Sequence, residues 1–113
     1  MTQKVVTVEQ TLKTLVLEAM ANLVVAKAER TGAKDYHPLM ISRFDIDTWI
    51  RSHGHEVPAT DIQRTLEVLT MKDGPARYYD SQYNGRTYRY YGLTKKFWSW
   101  LESKSQQTVG ATA

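Results

Sequence analysis

The first quarter of the chain has the apolar periodicity of an α-helix. From Val8 to about Arg30, apolar residues recur at three- and four-residue spacing, so they share one face of a helix. Thr7 is suited to cap the start of this helix, and Gly32 is suited to end it. The apolar face consists of Val8, Leu12, Leu15, Val16, Ala19, Leu23 and Ala26.

A second apolar stripe runs along the opposite side of the same predicted helix. It consists of Leu17, Ala21, Val24 and Ala28, which are spaced four, three and four residues apart. A helix that is apolar on two sides needs two partners, and we expect a domain of this size to cover one of them. The second stripe therefore predicts a homodimer interface.

Two shorter helices are predicted in the middle of the chain. Residues 31–38 predict a loop, and residues 39–44 predict a short extended segment. Asp45 or Asp47 can cap the first short helix, which Gly54 ends.

The next helix has a distinct start signal. Thr60 and Gln63 have the spacing of a capping box, in which each side chain satisfies a backbone N–H of the other residue. We expect the helix to end near residues 72–75. Its buried stripe consists of Ile62, Leu66 and Leu69.

Asn84-Gly85 lies between two β-rich segments and predicts a hairpin with a two-residue turn, because both turn positions require positive φ. One face then pairs Tyr83 with Arg86, Ser81 with Tyr88, and Tyr79 with Tyr90; the other pairs Gln82 with Thr87, Asp80 with Arg89, and Tyr78 with Tyr91. The tyrosines expected to pack the hairpin base against the helices are Tyr78, Tyr79, Tyr90 and Tyr91. Tyr83 stands at the tip, too far from any core to pack, so its ring is expected either to contact a partner or to be simply exposed.

After the hairpin, Thr94 is suited to cap a final helix. Trp98 and Trp100 lie near opposite sides of this helix, so we expect one to pack in the domain and the other to meet the first helix or a second subunit. Residues 105–113 are polar and small, which predicts a disordered tail after a domain of residues 1–104.

Size and composition fit this single domain. A chain of 113 residues, 42% of them hydrophobic, can bury its own core. Cysteine is absent, which excludes disulfides, thiolate zinc sites and thiol nucleophiles. Apolar runs such as Leu23 to Ala26 are far shorter than the ~20 residues that cross a bilayer. The N-terminus also lacks the pattern of a signal peptide, so we expect a cytoplasmic protein that does not bind a membrane.

The net charge of +3 is unevenly distributed. Residues 45–75 carry six acidic and three basic side chains, whereas residues 76–104 carry six basic and two acidic ones. The positive charge therefore lies in and just after the predicted hairpin, where it favours a polyanionic partner.

The order of predicted elements resembles that of a winged helix-turn-helix domain. The segment TDIQRTLEVLTMKDG, from Thr60 to Gly74, looks like a recognition helix followed by its glycine stop. The segment YGLTKKFWSWL, from Tyr91 to Leu101, is similar to the exit from the wing in bacterial and archaeal winged-helix regulators. The resemblance covers about residues 8–101. It implies an α+β, mostly helical fold with a long N-terminal helix and a C-terminal helix after the wing.

The resemblance also implies a transcription regulator that binds double-stranded DNA as a homodimer. The helix that starts at Thr60 is then expected in the major groove, where Gln63 can pair with adenine and Arg64 with guanine. The hairpin tip is expected against the DNA backbone or minor groove. The hairpin residues that are candidates for DNA contact are Arg77, Tyr83, Arg86 and Arg89. Arg89 has a structural alternative, because it lies opposite Asp80 in the predicted register.

Acidic residues on the same helix leave an alternative function open. Asp61 and Glu67 repel phosphate, and Arg64 is the basic residue of the outward face. Val68 and Met71 are expected to be exposed there, which is typical of a surface that binds protein. The alternative is a winged-helix module that binds another protein without contacting DNA.

Other chemistry is weakly represented. His53 and His55 flank Gly54 without a second pair of ligands, which is more typical of a polar turn than of a zinc site. The sequence contains no recognisable nucleophile–base motif and no glycine-rich phosphate loop. We therefore expect no enzymatic activity, metal or cofactor, and the sequence does not define a small-molecule effector.

Overall fold

A computed structural model describes the backbone of residues 8–112 and the side chains of residues 12–103. In this part of the chain, four helices combine with a three-stranded antiparallel sheet, as expected for a mostly helical α+β domain. The elements in chain order are α1 (Val8–Thr31), β1 (Ile41–Ser42), α2 (Arg43–Ser52), α3 (Ala59–Leu69), β2 (Ala76–Tyr83), β3 (Arg86–Leu93) and α4 (Lys95–Thr112).

The first helix, α1, packs through one broad face rather than two separate ones. Met20 and Val24 are fully buried, and Ala28 is nearly so. Leu17 and Ala21 are partly buried against the same core. The expectation that the domain cannot cover the second stripe is wrong, because α2, α3, β1 and β3 all contact this helix. Val24 and Ala28 therefore stabilise the protomer itself and are not available to a second subunit.

The C-terminal end of α1 is as predicted. Gly32 has a φ of 76°, and its N–H donates to the carbonyl oxygen of Ala28 at 2.8 Å. A glycine in the left-handed region is the usual way to end a helix. At the other end, the predicted cap Thr7 and the side chain of Val8 lie outside the described residues.

The second helix, α2, begins earlier than predicted. Ser42 is its cap, and the Ser42 Oγ accepts a hydrogen bond of 3.1 Å from the N–H of Asp45. The predicted caps Asp45 and Asp47 lie inside the helix, where Asp47 pairs with Arg51 at 2.5 Å. A serine directly after the short strand β1 caps the helix before either aspartate is reached.

The third helix, α3, has the predicted buried stripe, formed by Ile62, Leu66 and Leu69. The predicted capping box is wrong. The helix starts at Ala59 after Pro58, and no side chain caps it. The Pro58 carbonyl already accepts the N–H groups of Asp61 and Ile62, so Thr60 lies inside the first turn rather than at the cap.

The hairpin has the predicted turn and register. Asn84 and Gly85 have φ values of 52° and 75°, which suit a tight hairpin turn of type I′. All six predicted cross-strand pairs are confirmed: Tyr83 with Arg86, Gln82 with Thr87, Ser81 with Tyr88, Asp80 with Arg89, Tyr79 with Tyr90, and Tyr78 with Tyr91.

Among the described residues, the hairpin strands are buried near the hairpin base, where they meet the helices. β1 pairs with β3, so the strand order is β1-β3-β2 and Ile41 lies opposite Tyr91. Of the four tyrosines expected to pack there, Tyr91 is buried and Tyr90 is partly buried. Tyr78 and Tyr79 are 48% and 60% exposed, so the prediction is wrong for these two. Both residues lie on β2, which is an edge strand of the sheet, whereas Tyr90 and Tyr91 lie on the central strand β3.

The start of α4 closes the core. Thr94 caps it as predicted, because the Thr94 Oγ1 accepts a hydrogen bond of 3.2 Å from the N–H of Phe97. Phe97 is buried, and Trp98 packs against Tyr36 with ring centroids 4.8 Å apart. Trp100 is 53% exposed. The two tryptophans therefore differ in burial, as their positions on the helix predict.

The later part of α4 covers the segment predicted as a disordered tail. Its backbone is helical up to Thr112, and the side chains of residues 104–113 lie outside the described residues. Among the described residues, none of the helices is both long enough and apolar enough to span a bilayer.

Candidate functional site

Gln63 lies where α3 meets the hairpin. Its Nε2 is 3.5 Å from the hydroxyl oxygen of Tyr91 and 3.4 Å from a carboxylate oxygen of Glu67. Both hydrogen bonds are long, and the Gln63 side chain is half-buried. The predicted adenine-pairing amide is therefore placed at the junction of helix and hairpin, not at the outermost part of α3.

Arg64 projects from the outer face of α3, with 76% of its side chain exposed. Its Nη1 lies 3.8 Å from a carboxylate oxygen of Asp61, which is also exposed to solvent. A solvated pair of this kind contributes only ~0–1 kcal/mol, so the guanidinium can exchange Asp61 for a better acceptor. Thr60 is exposed as well. The accessible face of α3 therefore carries Thr60 and Arg64, with Gln63 to one side.

Apolar side chains share this face. Met71, just after α3, is 65% exposed, and Val68 is 40% exposed. Glu67 is exposed beside them. The outer face of α3 thus presents the Arg64 cation together with two carboxylates, Asp61 and Glu67, and two apolar side chains.

Arg89 is held by its own hairpin. Its Nε and Nη2 donate to the two carboxylate oxygens of Asp80 at 2.7 and 3.0 Å. Its guanidinium carbon also lies 4.0 Å from the ring centroid of Tyr78. These hydrogen bonds hold the pKa of Asp80 below its usual value and raise the pKa of Arg89. Of the predicted DNA contacts on the hairpin, Arg89 is thus occupied by the structural alternative.

Arg77 and Arg86 keep an uncompensated charge. Arg77 is exposed, and its Nη2 donates to the carbonyl oxygen of His37, which joins β2 to the loop after α1. This acceptor is neutral, so the charge of Arg77 is not cancelled. Arg86, at the hairpin tip, is exposed, and within the described residues no carboxylate lies within ion-pair distance of it.

Alternate residues of the hairpin form two faces of different character. We call the outward one the tyrosine face, and it consists of Arg77, Tyr79, Ser81, Tyr83, Arg86, Tyr88 and Tyr90. The other face carries the Asp80–Arg89 pair and continues into the core through Tyr91. At the hairpin base, the side chain of Met40 packs directly over Gly92 and covers that end of the tyrosine face. No carboxylate occurs among the seven residues of this face.

Sequence reasoning selected Tyr83 as a candidate contact but did not select Tyr79 or Tyr88. The signal was present, because the predicted register puts all three rings on one face. What the sequence did not show was how far the core extends along the strands. Tyr79 and Tyr88 are exposed because they stand on the outward side, beyond the segment that covers Gly92.

In the turn after α2, His53 packs against the helix. The ring of His53 stacks on Trp49 with centroids 3.7 Å apart, and His53 Nδ1 lies 2.8 Å from the Trp49 carbonyl oxygen. Across the described part of the chain, no group of three His, Cys, Asp or Glu side chains is placed to hold a metal ion.

The chain matches no protein-family model, no curated protein and no solved structure. Support for a function therefore comes from the geometry and charge of α3 and the hairpin.

Proposed function

We propose that this chain is a winged helix-turn-helix protein that binds double-stranded DNA as a homodimer and regulates transcription. The observation that carries the proposal is the arrangement of α2, α3 and the hairpin. α2 and α3 are consecutive, contacting helices, β1 pairs with β3, and the hairpin extends beside α3. This order and pairing are those expected of a winged helix-turn-helix domain, in which the second helix of the pair enters the major groove.

The exposed side chains support this mode of binding. Thr60 and Arg64 face solvent at the N-terminal end of α3, the end that contacts base edges in helix-turn-helix proteins. Arg64 can form paired hydrogen bonds with guanine once it leaves Asp61. Arg77 and Arg86 supply charge for phosphate contacts on the hairpin. Base contacts are thus assigned to α3, and backbone contacts to the hairpin.

The homodimer requires a different surface from the buried stripe. Leu17 and Ala21 are partly buried, and Leu17 lines an apolar groove together with Phe97 and the half-exposed Trp100. A second copy packed on this groove would remove Trp100 from water. A twofold dimer would also present two α3 helices to two half-sites on the duplex.

A selection experiment tests the proposal. Wild-type protein should enrich a preferred sequence from a pool of random duplexes. Arg64→Ala should weaken binding to that sequence by ~1–3 kcal/mol and relax the preference at one base pair, because one bidentate base contact is lost. The control is Arg30→Ala, which removes an exposed arginine from α1. A folded Arg64→Ala protein with unchanged affinity and preference would refute the assignment of α3 to the major groove.

A second candidate function is supported by Val68 and Met71. Both are exposed on α3 beside Glu67, a composition that suits a protein partner better than phosphate. This winged-helix module would bind protein without touching DNA. Absence of duplex binding at any salt concentration, together with loss of a protein complex on Met71→Ser substitution, would favour it.

A further inference from the structure

The geometry of the tyrosine face points to a binding site for single-stranded nucleic acid, which we propose as a second activity of the hairpin. Unpaired bases would stack on the tyrosine rings while the arginines contact phosphates. This goes beyond duplex binding, because the bases of a duplex are stacked on one another and their faces are not accessible.

The rings of this face are open to a ligand. Tyr79 and Tyr83 are 60% and 66% exposed, and Tyr88 is 40% exposed. Folding therefore leaves three large aromatic side chains in water on one side of a two-stranded ribbon. A tyrosine buries a large area when it packs, so these rings can contribute much more to binding than to the stability of the domain.

The rings are arranged in successive rows. Tyr79 lies opposite Tyr90, Tyr88 lies opposite Ser81, and Tyr83 lies opposite Arg86. Neighbouring rows on one face of a sheet are two residues apart, or about 6.8 Å. Each row thus offers at least one ring, at a spacing that an extended single strand with splayed bases can follow. Aromatic platforms of this kind bind single strands with little sequence preference.

The charge of the face fits a polyanion. Arg77 lies at the end of the hairpin near the core, opposite Gly92, and Arg86 lies at the tip. The two cations therefore flank the tyrosines. The one hairpin carboxylate, Asp80, points to the other face and is bound by Arg89. A single strand that passes over Tyr79 and Tyr88 therefore meets a cation at each end and no carboxylate between them.

The same charges argue against a second copy of this chain as the occupant. In a twofold interface the tyrosine face would meet itself, which brings arginines together without a carboxylate to pair with them. An acidic peptide could satisfy the arginines but would leave several stacking surfaces unused. Unpaired nucleotides use both features at once.

Fluorescence anisotropy with labelled oligothymidine of about 12 nucleotides tests the inference, and an oligouridine arm compares DNA with RNA. Wild-type protein should bind at low salt. Tyr79→Ala and Tyr88→Ala should each weaken binding roughly tenfold, because one stacking surface is lost. Tyr88→Phe should keep wild-type affinity, since the ring remains. Tyr78→Ala, an exposed tyrosine on the opposite face, is the matched control and should also keep it.

Duplex affinity measured on the same folded variants separates this inference from the proposed function. Binding of single strands without binding of duplexes would sink the proposed function and leave the inference intact. A wild-type protein that binds neither oligonucleotide would overturn the inference. So would equal losses in Tyr78→Ala and Tyr79→Ala, or equal weakening of duplex and single strand by Tyr88→Ala.

Discussion

Arg89 and Asp80 form a two-pronged ion pair across the hairpin, with nitrogen–oxygen distances of 2.7 and 3.0 Å. The pair lies on the face opposite the exposed rings of Tyr79, Tyr83 and Tyr88, and it links the two strands. It also neutralises the one acidic residue of the hairpin. Arg77 and Arg86 are thereby left as the two hairpin cations that no carboxylate of the described residues neutralises.

The ion pair predicts a pH dependence of stability. The pKa of Asp80 in the folded protein lies below its unfolded value of 3.8, because Arg89 hydrogen-bonds the ionised form. The stabilisation is therefore complete above that value and is lost as the pH falls through the folded-state pKa. Asp80→Asn should lower the melting temperature slightly at neutral pH, and the difference from wild type should shrink in acid. A melting-temperature difference that stays constant down to about pH 2 would show that protonation of Asp80 does not remove the stabilisation.

The turn between α3 and β2 predicts a contrast between two glycines. A Cβ at Gly74 would overlap the backbone carbonyl oxygens of Leu69 and Met71, so Gly74→Ala should cost more than about 2 kcal/mol. A Cβ at Gly85 meets open space, and Gly85→Ala should cost only about 1 kcal/mol from its left-handed φ. Urea titrations of both variants check this order. Equal losses would mean that the α3–β2 turn relaxes freely.

The proposed dimer predicts an effect of charge at Trp100. Trp100→Glu should convert a dimer into a folded monomer, because the substitution removes the large apolar ring and places a carboxylate in a mainly apolar groove that Asp73 and Lys96 also line. Ser99→Glu places the same charge on the neighbouring exposed residue of α4 and should leave the dimer intact. Light scattering at tens of micromolar decides the question. Wild-type protein that is already monomeric there would remove the homodimer from the proposal.

The hairpin was predictable because its determinants are local. Asn84-Gly85 fixes both the turn and the register, and every cross-strand pair follows from that one choice. The buried stripe of α3 is likewise a property of its own spacing. The prediction of the cap of α2 was wrong because it depends on a non-local feature. Ser42 and Asp45 both suit a cap, and the position of β1 decides between them.

Burial could not be predicted where it depends on several elements at once. Val24 is covered by elements that are distant in sequence, so the two stripes of α1 could not be assigned to core and surface from spacing alone. Tyr79 is the opposite case, because its ring was predicted to be buried and is 60% exposed. The contact of Gln63 with Tyr91 joins residues 28 positions apart. The periodicity of α3 alone therefore placed Gln63 on the outward face and could not show its contact with the hairpin.

The salt dependence of duplex binding tests the central claim most directly, namely that α3 and the hairpin form a nucleic-acid interface. Affinity should fall linearly on logarithmic axes between about 50 and 200 mM salt, since each phosphate contact releases about one counterion. Arg86→Ala should lower the magnitude of the slope by about one and leave the melting temperature almost unchanged. The Arg77→Ala/Arg86→Ala pair should lower the slope by about one to two, with a modest loss of stability from the Arg77–His37 hydrogen bond. The Arg30→Ala control should keep the wild-type slope. A folded Arg77→Ala/Arg86→Ala protein with wild-type affinity and slope would contradict the account.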